Sequence, residues 1–324
     1  MLKSIKDLKD TVAGGGSQGS TVEVGGHRVQ IQKQIGEGGF ACVFLVKDCS
    51  TKALYALKRL YASDKEDARA VRREVTLAKT LPHHPNIVRF YDACMNKDEG
   101  RVEGLILMEY CEGESLLARL NSERRLSEGE VLDIFHQVLL SVAHLHSQQP
   151  PIIHRDLKVE NVLRDGAGVW KLCDFGSATT KTLQCANHRE VMMVEDDLYR
   201  YTTPSHRSPE MCDLHSGKLV GVKSDVWSLG CLLFKMCFLQ NAFEENKLAT
   251  LNGNYTIPRT SPYSDRVHDL FKYLFVLDPD QRPSVFDVIE KVCALRGVDM
   301  CGYVWTCGHV YMCVYACFCV FMWI

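Results

Sequence analysis

An excess of charge of one sign, an apolar leader in the opening residues and, through the body of the chain, close cysteine pairs are all missing. Its 38 basic and 40 acidic residues leave a formal net charge of −2, so no overall excess steers it onto nucleic acid, and composition names no partner. Of the fifteen cysteines, the ten in the body of the chain are scattered from Cys42 to Cys293 without the paired spacing of a zinc site. The first ten residues, MLKSIKDLKD, hold no apolar run of the secretory kind. The thiols therefore read as reduced, mostly small core residues of a cytosolic protein. Internal repeats are absent too. What is present is a globular composition, 46% apolar and 24% charged over 324 residues, enough for one large domain or two lobes with separate cores.

Leu2, Ile5 and Leu8 alternate with lysines, but an amphipathic helix this short is marginal alone, and the AGGGSQGS that follows is a flexible linker by composition. Residues 1–23 thus read as a flexible segment, with the folded domain running from near Val24 to about residue 296. Up to about Leu107 the pattern is strand-rich (VQIQKQIG, CVFLVKD, LYALKRL, GLILMEY), with one helical stretch over Lys65–Thr80. From Ser115 helix signals dominate: Val131, Ile134, Phe135, Val138, Leu139, Val142 and Leu145 share one face. The expected fold class is α+β, with a small β-rich lobe (about 24–108) followed by a larger, mainly helical lobe (about 112–296). After Asp299 the chain carries no charge. That 297–324 tail is long enough to anchor in a membrane, with acylatable cysteines. It lacks the basic flank and leucine content of an anchor, and its Cys, Val, Tyr, Met, His and Trp match translation of an alternating TG/TA nucleotide repeat, so read-through is the favoured of the two readings.

Four segments carry chemistry. IGEGGFACV, Ile35 to Val43, lies between two strands and places Gly36, Gly38 and Gly39 where a backbone could approach a polyphosphate; by itself it equally describes a tight hairpin. Fifteen residues past Val43, Lys58 shares a strand face with Ala56. Its carboxylate partner is expected to be Glu74, on the helical stretch, with Glu66 as the fallback. IIHRDLKVENVL, Ile152 to Leu163, separates apolar from charged residues in blocks and reads as strand, polar loop, strand. In it Asp156 would accept or orient a hydroxyl proton, Lys158 would neutralise a phosphoryl group in flight, and Asn161 would ligate a metal. Eighteen residues beyond Asp156, Asp174 ends an apolar strand before a turn and would hold Mg²⁺.

Together with GEGGFACV, YALK, HRDLKVEN, DFG, SPE (Ser208 to Glu210), DVWSLG (Asp225 to Gly230) and DPDQRP, these residues resemble the eukaryotic protein kinases over about Val24 to Leu295. The resemblance implies ATP between two lobes and a hinge near Glu109 to Cys111. Ile35, Gly36, Glu37, Gly38, Gly39, Phe40, Ala41, Val43, Ala56, Lys58, Met108, Glu109, Cys111, Leu163 and Cys173 are then the nucleotide-binding residues. It also implies a catalytic set of Asp156, Lys158, Lys58 and Glu74, metal ligands Asn161 and Asp174, a Glu210–Arg282 ion pair, and Asp225 bracing the catalytic loop. EGGFACVFLV, Val159, CDFGSAT, VEDDLYRYTTPSHRSPEM and GCLLFKMCF are similar to the Numb-associated kinases. That likeness implies a serine/threonine kinase using ATP and Mg²⁺, Thr203 shaping the acceptor site, clathrin-adaptor medium chains as protein substrates, and a cytoplasmic location at clathrin-coated membranes. His206 and Ser208 depart from the usual tyrosine and alanine. Arg155 before Asp156 is a position that an activation-loop phosphate can pair. The loop offers Thr179, Thr180, Thr182, Tyr199, Thr202 and Thr203, and also Glu195, Asp196 and Asp197, carboxylates that either order the loop without phosphorylation or form a solvated run. The alternative to an active enzyme is a pseudokinase-like nucleotide-binding scaffold.

Overall fold

The computed structural model describes residues 18–38, 41–62, 64–98, 101–122, 125–185, 187–298, 303–306 and 309–312. Gly39 and Phe40 of the glycine loop lie outside these residues. So do the N-terminal segment as far as residue 17 and most of the tail, including both readings of it. Within the tail, Tyr303–Thr306 pairs antiparallel with His309–Met312. The chain divides into two compact units after Glu112.

The first unit is a six-stranded antiparallel sheet in the order β1-β2-β3-β4-β6-β5, made of β1 (Thr21–Val24), β2 (His27–Glu37), β3 (Ala41–Asp48), β4 (Leu54–Ala62), β5 (Phe90–Asp98) and β6 (Arg101–Glu109). The sheet thus begins at Thr21, ahead of the Val24 start read from the sequence. Alternation along the strands gives it two cores. Leu57, Leu105 and Leu107 face one way with Val29, Ile31, Phe44 and Val46. Leu60 and Ile106 face the other, against Val71, Val75 and Ala78 of helix α1 (Lys65–Thr80). The helix occupies the stretch its periodicity indicates, started by Asp64, whose carboxylate accepts the Glu66 and Asp67 N–H groups. Gly104 of β6 lets it settle close: a Cβ there would stand 2.5 Å from Val71 Cγ1 and 3.2 Å from Val75 Cγ2.

The second unit is mainly helical. Its first helices are the short α2 (Leu116–Asn121) and the long α3 (Glu128–His146), the latter opened by a reciprocal Ser127–Glu130 capping box. All seven residues assigned to the inner face of α3 are buried. A short hairpin, β7 (Val162–Arg164) with β8 (Trp170–Leu172), follows. Only Val162 and Leu163 at the end of IIHRDLKVENVL are therefore strand; Val159–Asn161 forms a 3-10 turn, and the first half touches Thr179 through a single bridge at Ile153. The segment after the hairpin carries a 14-residue helix, α4 (His188–Tyr201), capped by Asn187, where the sequence reading had an irregular loop. Then come α5 (Pro209–Cys212), α6 (Val222–Phe238), α7 (Lys247–Asn252), α8 (Asp265–Leu274) and α9 (Val285–Arg296). α6 is buried almost throughout. Trp227 on it stacks against Phe243 and under the Arg282 guanidinium, which binds Glu210 through two hydrogen bonds of 2.8 and 2.9 Å with both side chains fully buried. A fork of this kind fixes orientation as well as charge.

Candidate active site

In the sheet unit, Lys58 sits mid-β4, paired in register with Val43 and Ile106. Its parity with Leu60 turns it to the α1 side, and its Nζ donates to Glu74 Oε1 at 2.6 Å. Glu74, not Glu66, is the partner; Glu66 lies in the first turn of α1. With both side chains about nine-tenths buried, the pair is an ammonium fixed in place by a carboxylate. Ile35, Gly36 and Glu37 end β2, Ala41 and Val43 open β3, and the Gly38 N–H donates to the Ala41 carbonyl at 2.8 Å to close the hairpin. Ala56 is buried opposite Met108, next to Glu109 at the end of β6, and Cys111 follows just before the unit ends.

In the helical unit, Asp225 on α6 organises the loop from His154 to Asp156. One carboxylate oxygen accepts the Arg155 N–H (2.9 Å); the other accepts the His154 N–H (2.8 Å) and contacts His146 Nε2 (2.9 Å). Burial alone would raise its pKa. The hydrogen bonds it accepts from His146 and from the Arg155 N–H outweigh that and hold it below the ordinary value. The clamp lies where the backbone needs it, because Arg155 has φ +68°, a left-handed conformation that costs a non-glycine residue about 1 kcal/mol or more.

Asp156 follows. Its Oδ1 accepts from the Thr203 hydroxyl at 2.6 Å, and its Oδ2 lies 2.8 Å from Lys158 Nζ and 3.1 Å from Asn161 Nδ2. Lys158 Nζ also donates to Thr203 Oγ1 at 3.1 Å. The loop therefore gathers a carboxylate, an ammonium, an amide and a hydroxyl at one point. Asn161 Nδ2 donates a second bond to the Asp156 carbonyl, which leaves its Oδ1 as a hard oxygen donor. The Asn161 backbone carbonyl accepts the Cys173 N–H at 2.9 Å, so the hairpin bearing Leu163 sets Asp174 beside Asn161. Asp174, at φ +61°, presents an exposed carboxylate. Among the described residues no three His, Cys, Asp or Glu side chains gather as a metal site. One or two oxygens completed by phosphates is instead the way Mg²⁺ binds, and Asn161 with Asp174 fits that donor set.

Sequence reasoning missed the part played by the His154 ring. Its Nδ1 accepts the Asp156 N–H (3.3 Å), which makes Nε2 the donor to the Cys173 carbonyl (3.3 Å), and the ring meets Phe175 edge-on. One imidazole thereby ties the Asp156 backbone to the residue before Asp174. Arg155 has a ring of partners: its Nε donates to the Ser177 carbonyl at 2.6 Å, its guanidinium lies over Tyr201, and Nη1 binds the Asp197 carboxylate. Of the acidic run, Asp197 makes this contact; Glu195 and Asp196 face solvent. His206 is buried with its Nδ1 at 3.1 Å from Ser205 Oγ, and burial pushes its pKa down to about 4.

The comparisons with known proteins agree with this geometry. The family model for the protein kinase domain matches residues 29–293. A protein named as a probable serine/threonine-protein kinase of Dictyostelium discoideum is 43% identical over 288 residues, 87% of this chain and 26% of its own length. A second from that organism is 42% identical over 304 residues, 91% of this chain and 38% of its own. A serine/threonine-protein kinase of Schizosaccharomyces pombe is 36% identical over 287 residues, 87% and 30%. The chain spans between about a quarter and two fifths of the length of the curated relatives it matches. A β-sheet unit with its lysine–glutamate pair, a helical unit with its aspartate-centred loop, and a family match across both establish that this chain belongs to the protein kinase family.

Proposed function

We propose that the chain is a serine/threonine protein kinase, moving the γ-phosphoryl group of MgATP to a protein hydroxyl. The observation that carries the reading is the Thr203 hydroxyl donating to Asp156 Oδ1 while Lys158 contacts both groups. An alcohol already sits against the carboxylate with an ammonium alongside, the arrangement an incoming serine or threonine needs. In the reaction the acceptor oxygen bonds to the γ-phosphorus, its proton passes to Asp156, and the bond from γ-phosphorus to the bridging oxygen breaks to leave ADP. Lys158 neutralises charge on the phosphoryl oxygens, and Lys58, steadied by Glu74, orients the remaining phosphates. Bound Mg²⁺, for which Asn161 and Asp174 are the donors, would draw charge from the β- and γ-phosphates.

The finer reading is a Numb-associated type of kinase acting in the cytoplasm on clathrin-adaptor medium chains at coated membranes. Its support is the run of residues from Val194 to Met211 and the CDFGSAT segment. Incubating the protein with MgATP and an adaptor medium-chain peptide tests both levels, with Asp174→Ala as control. Phosphate on a serine or threonine that vanishes in the control is the expected result. Transfer to generic peptides but not to the adaptor peptide would remove the finer reading alone; no transfer to any peptide would remove both.

Activity without loop phosphorylation belongs to the same proposal, supported by Asp197 occupying the Arg155 guanidinium where a phosphate would otherwise be the partner.

A further inference from the structure

Helix α4 has one face packed in the fold and one left exposed among the described residues. Val191 and Leu198 pack with Met211, Leu214 and Val220. On the opposite side Met192 is 58% exposed, Met193 66% and Tyr199 80%, three of the four most exposed large apolar side chains among the described residues. Met192 and Tyr199 are two turns apart and form a ridge about 10 Å long. Glu195 and Asp196 border it, one on each side; both are exposed, and neither makes an ion pair among the described residues. Arg189 and Arg200 lie on the next stripe, beyond Asp196. The helix ends at Tyr201, and the four residue steps from Tyr199 to Thr203 span at most about 14 Å, so the ridge lies close to the hydroxyl held by Asp156.

We propose that the Met192–Tyr199 ridge is a docking surface for the phosphoacceptor protein, gripping a segment in which an apolar side chain is bordered by lysine or arginine. This rests on the kinase reading. Methionines and an exposed tyrosine adapt to and anchor an apolar side chain, and the bordering carboxylates select its basic neighbours. The same carboxylates oppose an anionic lipid surface. They also oppose a second copy of the ridge, whose few side chains fall short of the roughly 1,000 Å² that a stable interface buries. A segment held here raises the local concentration of an acceptor a few residues away, which lowers KM without new contacts at Asp156.

Two fluorescein-labelled threonine peptides with identical acceptor segments test the idea, one extended by a short arm of leucines bordered by arginines; a third carries glutamates in place of the arginines. Binding is read by anisotropy and transfer by initial rates, on the full chain and on a Met192→Ser/Glu195→Gln/Tyr199→Ser variant. The basic arm is expected to tighten binding and lower KM by about tenfold, the smaller range for losing or gaining an anchor, and the variant to lose that advantage. The glutamate arm should give none. An arm that brings no gain, or a gain that survives in the variant, overturns the proposal. Concentration-dependent self-association abolished by the variant also overturns it, in favour of a dimer surface. Arm binding lost in the variant while no peptide is phosphorylated by the unaltered chain supports the dock and instead refutes the kinase reading.

Discussion

Replacing Asp197 by asparagine removes one charge and almost no volume. The Arg155 side chain is 4% exposed, so the variant leaves a buried guanidinium with no countercharge among the described residues, facing only neutral partners: the Ser177 carbonyl, the Tyr201 ring and the new amide oxygen. Removing one partner of a fully buried pair costs about 3–5 kcal/mol. The Asp197 side chain is 32% exposed, so water shares the load and the loss falls to roughly 1–2 kcal/mol, nearer the surface range. If that energy holds α4 and the acceptor loop in order, the initial rate of peptide phosphorylation at saturating ATP falls about 5- to 30-fold. Unaltered protein treated with a phosphatase should keep its rate, because the counter-charge is built in. A variant as fast as the unaltered protein, or an unaltered protein silenced by phosphatase, would refute the reasoning.

Gly104→Ala should push α1 off the sheet, since its Cβ would meet Val71 at 2.5 Å; we expect about 1–3 kcal/mol lost in chemical denaturation and a raised KM for ATP as Glu74 draws away from Lys58. Arg282→Ala leaves Glu210 charged and fully buried, and the loss of about 3–5 kcal/mol should appear as a lowered Tm. Burial holds the imidazoles of both His136 and His206 down at about 4 from a usual value of 6.5. Between those values the unfolded chain binds protons that the folded chain refuses. Stability is therefore full above about pH 6.5 and declines toward pH 4, by up to about 3 kcal/mol per histidine. Tm measured across that range should fall with pH, and a His206→Gln variant should show a shallower slope.

The parts legible in the sequence were those with a local period or fixed spacing. The inner face of α3 and the extent of α1 followed from helical periodicity, and the choice of Glu74 followed from that helix lying over the Lys58 strand. The helix α4 was overlooked because its polar residues outweigh a thin stripe of Val191, Val194 and Leu198. Once it is helical, Asp197 alone of the acidic run turns toward Arg155. A glycine inside β6 is a signal of close approach that could have found Gly104. The His146–Asp225 contact joins residues 79 apart, and the His154 bridge to Cys173 joins a side chain to a backbone carbonyl. Neither leaves a pattern that local reading can register.

The most direct test measures phosphoryl transfer and nucleotide binding side by side for Asp156→Ala. The account expects ATP to bind with nearly unchanged affinity, while transfer to a threonine peptide drops at least ~100-fold, the lower end of what a positioned base supplies. Turnover within a few-fold of the unaltered protein would contradict it.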